Sequence, residues 1–398
     1  MPESNLMIVQ GGGPTAVFNA SLAEIIAEAQ RQPSIRSIFG SRYGIGGLFD
    51  DRIVDLTDAS IADLELLRRT PGAALGSSRH SPTESELKKS LETLDRLKID
   101  LLLFLGGNGT MRGAEIISKH CTSQGLDIRV LGVPKTIDND IAATDRCPGY
   151  ASAARYIATA AQELAADLRS LPQPVTILET MGRSVGWIAA ATVLARTNDD
   201  SAPHLIYVPE VPFETEAFLS DLSRIVKRIG WAVVVVAEGI RHADGTLVYE
   251  SSDSSQSDPL KRPMTGGVAQ HLATIVSQRL GIRCRSEKPG LLGRASVACT
   301  SARDVEDAQQ VGRAGVQALV SGQRDVMIAL EPLGSEHATR IVPLAQAAGH
   351  ERTIPDKWLQ SGPIPVSKGF IDYVRPLVGP LEQHITELGR AVCEIGAK

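Results

Sequence analysis

Two patterns of apolar and polar residues alternate along this chain. Short aliphatic and β-branched runs recur at residues 6–9, 35–39, 101–105, 129–133, 175–178, 204–208, 232–237 and 326–330. Between many of them lie longer stretches in which apolar residues return every three to four positions, at 20–29, 84–97, 151–168, 214–229, 267–280 and 305–320. Apolar runs alternating with amphipathic segments predict an α/β fold, with mainly parallel sheets covered by helices on both faces. Ligands of such sheets bind where loops leave the carboxyl ends of strands, so chemistry is expected in the loops that follow these runs. No internal repeat is evident, and the polar stretch 250–258 reads as a surface loop.

Length and composition narrow this picture. A chain of 398 residues suits two domains better than one small core. Hydrophobic residues make up 43% and charged residues 22%, the balance of a soluble globular protein. A net charge of −5 without runs of like charge gives no sign of a nucleic-acid or membrane partner. The longest apolar stretch, 231–237, is far too short to span a bilayer. The opening Met-Pro-Glu-Ser-Asn-Leu lacks the basic start of a secretory signal, which makes a cytoplasmic location the expectation. Five cysteines (Cys121, Cys147, Cys284, Cys299, Cys393) without a Cys-x-x-Cys pair point away from a disulfide framework or zinc site.

Three glycine-rich loops stand out, each expected to follow a strand. They are Gln10-Gly11-Gly12-Gly13-Pro14-Thr15, then Gly72-Ala-Ala-Leu-Gly76-Ser77-Ser78-Arg79, then Gly106-Gly107-Asn108-Gly109-Thr110-Met111-Arg112-Gly113. Glycines let backbone N–H groups approach phosphate oxygens, and a helix N-terminus adds positive potential. Arg79 could supply charge to a phosphoryl group in transfer. Taken singly, each loop could equally be a tight turn. None matches the Walker A or dinucleotide patterns.

The sharpest signal is Gly132-Val133-Pro134-Lys135-Thr136-Ile137-Asp138-Asn139-Asp140. Two carboxylates two residues apart, beside a lysine and a threonine, suit alcohol phosphorylation. One can accept the proton of the attacking hydroxyl, and the other can hold Mg²⁺. A surface turn would explain the Asp and Asn content, but not the apolar strand before it or Lys135. A second element, Glu179-Thr180-Met181-Gly182-Arg183, puts a guanidinium at a strand-to-helix turn. Glu238, Arg285 and Arg294 follow later. Arginine forks with a carboxylate commonly hold sugar phosphates, although each of these three could by itself be a surface salt-bridge residue.

Together, Asp138 within Pro-Lys-Thr-Ile-Asp-Asn-Asp, the Met181-Gly182-Arg183 turn and the Gly-Gly-Asn-Gly-Thr loop resemble the 6-phosphofructokinases. The resemblance runs from Gly11 to about Arg294, with a weaker tail through Tyr373-Val-Arg375. It implies two Rossmann-like domains with the active site between them. The donor domain would be residues 1–150 with roughly 295–345, and the sugar-phosphate domain 151–294 with roughly 346–398. It further implies an ATP or pyrophosphate site at Gly12, Gly13, Arg79, Gly107, Asn108, Gly109, Thr110 and Gly113. Thr136, Ile137, Asp138, Met181, Gly182, Arg183, Glu238, Arg285, Arg294, Tyr373 and Arg375 would line the sugar-phosphate site. Asp138 would be the base, assisted by Lys135, Arg79, Arg183 and Asp140, with Mg²⁺ on Asn108 and Asp140. The acceptor would be fructose 6-phosphate, and the assembly a homodimer or homotetramer in which one arginine crosses between subunits. Glu210, at the position of an effector site in some relatives, reads as structural here.

Departures from the family pattern carry information too. Asn108 replaces the aspartate of many members. Gly109 replaces the aspartate that blocks an ATP α-phosphate in pyrophosphate users, and Gly113 leaves room for a base, whereas Lys135 suits pyrophosphate as well as ATP. On balance the donor expectation is ATP. Leu291 stands where many relatives have histidine, and Pro174 where many have arginine, so another ketose phosphate such as a heptulose phosphate stays open as acceptor. So does a non-catalytic sugar-phosphate-binding subunit. NAD and lipid kinases share a Gly-Gly-Asp-Gly-Thr loop but lack the combination with the acidic motif and Met-Gly-Arg.

Overall fold

The structure, a computed structural model, describes residues 3–170, 174–250 and 266–382. The first half of the chain runs β1 (Ser4–Gln10), α1 (Phe18–Arg31), β2 (Ile35–Ser41), α2 (Gly46–Phe49), β3 (Ile53–Asp55), α3 (Ile61–Arg69), α4 (Glu84–Arg96), β4 (Ile99–Gly106), α5 (Asn108–Ser123) and β5 (Arg129–Pro134). Next come α6 (Tyr150–Ser170), β6 (Val175–Thr180), α7 (Trp187–Ala191), β7 (Leu205–Tyr207), α8 (Thr215–Ile229), β8 (Ala232–Ala237), α9 (Val268–Leu280), β9 (Cys284–Glu287) and α10 (Leu291–Arg294). The chain then returns through α11 (Ala302–Val320), β10 (Val326–Leu330), β11 (Thr339–Pro343), α12 (Leu344–Ala347) and α13 (Lys368–Val378).

Two sheets result. One has the order β11-β10-β5-β4-β1-β2-β3, and the other β7-β8-β6-β9. Pairing is parallel except at the two edges of the larger sheet, where β3 runs against β2 and β11 against β10. Strand alternation sorts the larger sheet's core into two faces. Leu6, Ile8, Leu101, Leu103 and Leu105 pack with Phe18, Leu22 and Val311 of α1 and α11. Met7, Val9, Leu102 and Phe104 pack on the other face with Leu91, Leu94, Met111 and Ile117 of α4 and α5. The smaller sheet shares its core with α6, α8, α9 and the segment from Ile354 to Val378.

The order of the larger sheet sets the stage for binding. From β1 the chain moves outward one way to β2, and later fills β4 and β5 on the other side. The carboxyl ends of the neighbours β1 and β4 therefore open a crevice at a switch point, the usual ligand position in such sheets. Loops 11–15 and 106–113 both leave this edge. Loop 72–79 corrects an expectation, because it follows helix α3 and not a strand. The strand before it, β3, is a three-residue hairpin partner too short to show in the apolar pattern. β9, β11 and α13 were also unmarked by that pattern. The 250–258 stretch lies almost wholly outside the described residues.

Candidate active site

At the switch point the two glycine loops interlock. Gly11 N–H donates to the Leu105 carbonyl at 2.9 Å, and Gly12 N–H to that of Ser78 at 3.0 Å, which brings loop 72–79 alongside. A methyl group on Gly11 or Gly106 would overlap the Thr110 side chain, so both must be glycine for the loops to close. Thr110 is thus a spacer between the loops. Asn108 begins α5, whose N-terminus faces the crevice. A side chain grafted onto Gly109 or Gly113 would meet nothing within 4 Å.

The acidic loop leaves β5 next door. Lys135 N–H donates to the Gly106 carbonyl at 2.9 Å. Its side chain is 1% exposed, donates from Nζ to the Gly13 carbonyl at 2.5 Å and lies 4.2 Å from the centre of the Phe18 ring. Thr136 Oγ1 accepts the Asp138 N–H at 3.1 Å, a local turn that aims the carboxylate out of the sheet. Asn108 Nδ2 donates to the Asp140 carbonyl and to Asp140 Oδ2, each at 3.0 Å. That leaves Asn108 Oδ1 and Asp140 Oδ1 buried with no hydrogen-bond partner among the described residues. Two buried hard oxygens without protein partners, on residues joined to each other, fit a divalent cation that keeps waters as other ligands. No cluster of three or more His, Cys, Asp or Glu side chains suited to a metal exists among the described residues.

Opposed charges crowd this edge. Burial first, then Asp140 and Glu238, push the Asp138 carboxyl up to about 7 against the pull of Lys135 and Arg79. Burial, aided by Arg294, brings the Lys135 ammonium down to about 7. Arg79 and Arg294 converge over Gly13: a methyl there would stand 3.3 Å from Arg294 Nη1 and 3.5 Å from Arg79 Nη2. Guanidinia this close repel one another, and a phosphoryl group between them would relieve that repulsion.

The facing side of the crevice is built by the smaller sheet. Thr180 ends β6 beside Ala237 of β8, so Met181 and Glu238 emerge together, and Glu238 N–H donates to the Thr180 carbonyl at 3.0 Å. Gly182 has φ +136°, and Gly239 presses against the Arg183 carbonyl, so only glycines allow this turn. A small pocket lies here, lined by Ile137, Tyr156, Met181, Ile188, Gly293 and Arg294 among others. Glu210 accepts the N–H groups of Gly186 and Ile354 at 3.0 and 3.2 Å, the structural role expected of it.

The family model for phosphofructokinase matches residues 5–319. The chain belongs to the phosphofructokinase family. It is 33% identical over 385 residues, 95% of each chain, to a pyrophosphate–fructose 6-phosphate 1-phosphotransferase of Rhodospirillum rubrum. It is 30% identical to an ATP-dependent 6-phosphofructokinase of Corynebacterium efficiens, covering 90% of this chain and 98% of that protein. Among solved structures, the pyrophosphate-dependent phosphofructokinase of Marinobacter aquaeolei superposes with a TM-score of 0.83 at 30% identity, over 99% of this chain and 98% of that one. The chain is therefore an α/β phosphotransferase of this family. Among the described residues, no helix is long and apolar enough to cross a membrane.

Of the residues expected at the phosphofructokinase site, Gly12, Gly13, Arg79, Gly107, Asn108, Lys135, Thr136, Asp138 and Asp140 meet at the edge of the larger sheet. Met181, Gly182, Arg183 and Glu238 meet at the smaller one. Arg294, expected on the sugar 6-phosphate, points to Gly13 and Arg79 while still lining the acceptor pocket. Arg285 is exposed on edge strand β9 opposite Thr176, five residues before Met181 and so about 16 Å down the strand from the site. Arg375 is exposed on α13. The Tyr373 hydroxyl donates to the Asp145 carbonyl at 2.9 Å and accepts from Asn139 Nδ2 at 3.0 Å, behind the acidic loop. Sequence reasoning missed Phe18 and Arg352, whose contacts arise only from tertiary packing.

Proposed function

We propose that this phosphofructokinase-family chain transfers the terminal phosphoryl group of ATP, with Mg²⁺, to the 1-hydroxyl of fructose 6-phosphate. The open space at Gly109 and Gly113 carries the donor assignment. A methyl group at either position would meet no other atom within 4 Å, so neither position crowds the space a nucleotide needs. Asp138, raised toward neutrality, accepts the proton of the attacking hydroxyl as the new P–O bond forms and the bond to the leaving phosphate breaks. Lys135, Arg79 and Arg294 surround the path of the transferring group, and Arg183 faces it from the acceptor side. Mg²⁺ on Asn108 and Asp140 would neutralise the donor phosphates. In this reading the exposed Arg285 serves the site of a neighbouring subunit in a homo-oligomer.

Pyrophosphate is the second reading. It is favoured by the relatives named for it and by a buried lysine able to neutralise a compact donor. Purified protein supplied with fructose 6-phosphate, Mg²⁺ and either ATP or pyrophosphate decides between them. Turnover with ATP alone supports the proposal, and turnover with pyrophosphate alone replaces it with the second reading. Silence with both donors on fructose 6-phosphate and on heptulose phosphates would make the chain a sugar-phosphate-binding subunit.

A further inference from the structure

The residue after the proposed base takes an uncommon conformation. Asn139 has φ +56°, in the left-handed region that Asn enters more readily than other non-glycine residues and that its surroundings here hold in place. Here the enforcement comes from all sides. Asn139 Oδ1 accepts the Cys147 N–H at 2.9 Å, and its Nδ2 donates to the Tyr373 hydroxyl at 3.0 Å. Its carbonyl accepts from Arg352 Nη1 at 3.3 Å. Arg352 N–H donates to the next carbonyl, that of Asp140, at 2.7 Å. Ile141 then pairs antiparallel with Glu351, and Ala142 N–H reaches the His350 carbonyl at 3.3 Å.

The same short segment grips the acceptor side. The Arg352 carbonyl accepts from Trp187 Nε1 at 3.2 Å, and its guanidinium lies 4.3 Å from the Trp187 ring and 5.8 Å from that of Tyr373. Two residues on, Ile354 N–H donates to Glu210 Oε1, which also holds Gly186 at the end of the turn that carries Arg183. Residues 350–354 and Tyr373 lie beyond the part of the chain that the family model matches.

We infer that residues 350–354, acting through Arg352 and joined by Tyr373, form a strap that locks Asn139 in its left-handed conformation, aims the Asp138 carboxylate at the acceptor hydroxyl, and ties that loop to the Arg183 turn. Arg352 and Tyr373 are positioning residues. Neither touches the reacting atoms, and their effect runs through the backbone on either side of Asn139. A general base must sit within hydrogen-bond reach of its proton, and a misplacement of about 1 Å can cost on the order of a hundredfold in rate. A loop with no regular secondary structure needs such a support.

The inference rests on the proposed base role of Asp138, and the test separates the two. Arg352→Met, Arg352→Lys and Tyr373→Phe are made in the full chain. For each, kcat, both KM values and amide hydrogen exchange over residues 138–142 are measured. Arg352→Met and Tyr373→Phe are expected to lower kcat about 10- to 100-fold with both KM values within about threefold. Exchange in the loop should quicken. Arg352→Lys, which keeps the charge over Trp187, should recover part of the rate. Unchanged kcat with a lower melting temperature would reduce the strap to a structural contact. A raised KM at constant kcat would make Tyr373 a substrate contact instead. If the wild-type chain shows no turnover, the functional reading falls and hydrogen exchange alone decides the strap: unchanged exchange in both Arg352→Met and Tyr373→Phe overturns it.

Discussion

Asp138 and Lys135 are three residues apart in sequence and both titrate near neutrality, though for opposite reasons. Burial raises the carboxyl and lowers the ammonium, and neighbours of like charge strengthen both effects. A base must be deprotonated and a donor-facing ammonium protonated to act, so kcat/KM, which reports the free enzyme, should follow a bell centred at about pH 7. A profile flat from pH 5 to 8 would remove both groups from these roles. Asp138→Asn keeps the shape and abolishes the basicity, so turnover should fall by about two orders of magnitude or more while sugar-phosphate binding persists. Gly109 tests the donor in the same way. Gly109→Asp fills open space with a charge that repels the ATP phosphates, so kcat/KM for ATP should fall more than about tenfold, with any pyrophosphate reaction less affected. Most of these residues were legible in the sequence, because a carboxylate pair, a lysine and glycines close in the chain must stay close in space. The position of Arg294 over Gly13 was not, since the two lie far apart in sequence and meet only when α10 folds against α6.

Helix termini do much of the positioning at the level of elements. α5 points its N-terminus into the donor crevice. The N-terminus of α6 is held by a residue of a distant helix: Asp304 of α11 accepts the N–H groups of Gly149 and Ser152 at 2.7 and 3.0 Å, and the Ser152 hydroxyl at 2.5 Å. Asp304 is fully buried, so Asp304→Ala would leave two helix N–H groups unsatisfied in the interior. That should destabilise the chain by about 2–4 kcal/mol, measured by urea unfolding, and a loss below about 1 kcal/mol would show that water or Ser301 takes over the cap. The cap of α4 is local, with Thr83 and Glu86 satisfying each other's N–H groups. The Asp304 cap leaves no mark in local sequence, because it and Ser152 are 152 residues apart.

Seen whole, the proposed chemistry falls where two sheets present the carboxyl ends of their strands. The larger sheet brings the glycine loops and Asp138, and the smaller brings Arg183 and Glu238. Neither sheet depends on a metal for its core, since each cluster of buried side chains is apolar. Chelation of divalent cations should therefore abolish turnover and shift the melting temperature by less than about 2 °C, unlike a protein whose fold is built on its metal. A large shift under chelation would mean that the cation also holds the structure together.

The sequence by itself determined the α/β class, the strand-loop-helix positions of two of the three glycine loops, and the acidic motif with its lysine. All of these rest on local periodicity or on residues near one another in the chain. Tertiary structure alone decided the strand order that creates the crevice, the turn of Arg294 toward the donor loop, the stacking of Lys135 on Phe18, and the strap through Arg352 and Tyr373. Each of these contacts joins residues far apart in sequence, and its energy comes from burial and hydrogen bonding that exist only once both sheets have formed. Local pattern carries no record of such contacts.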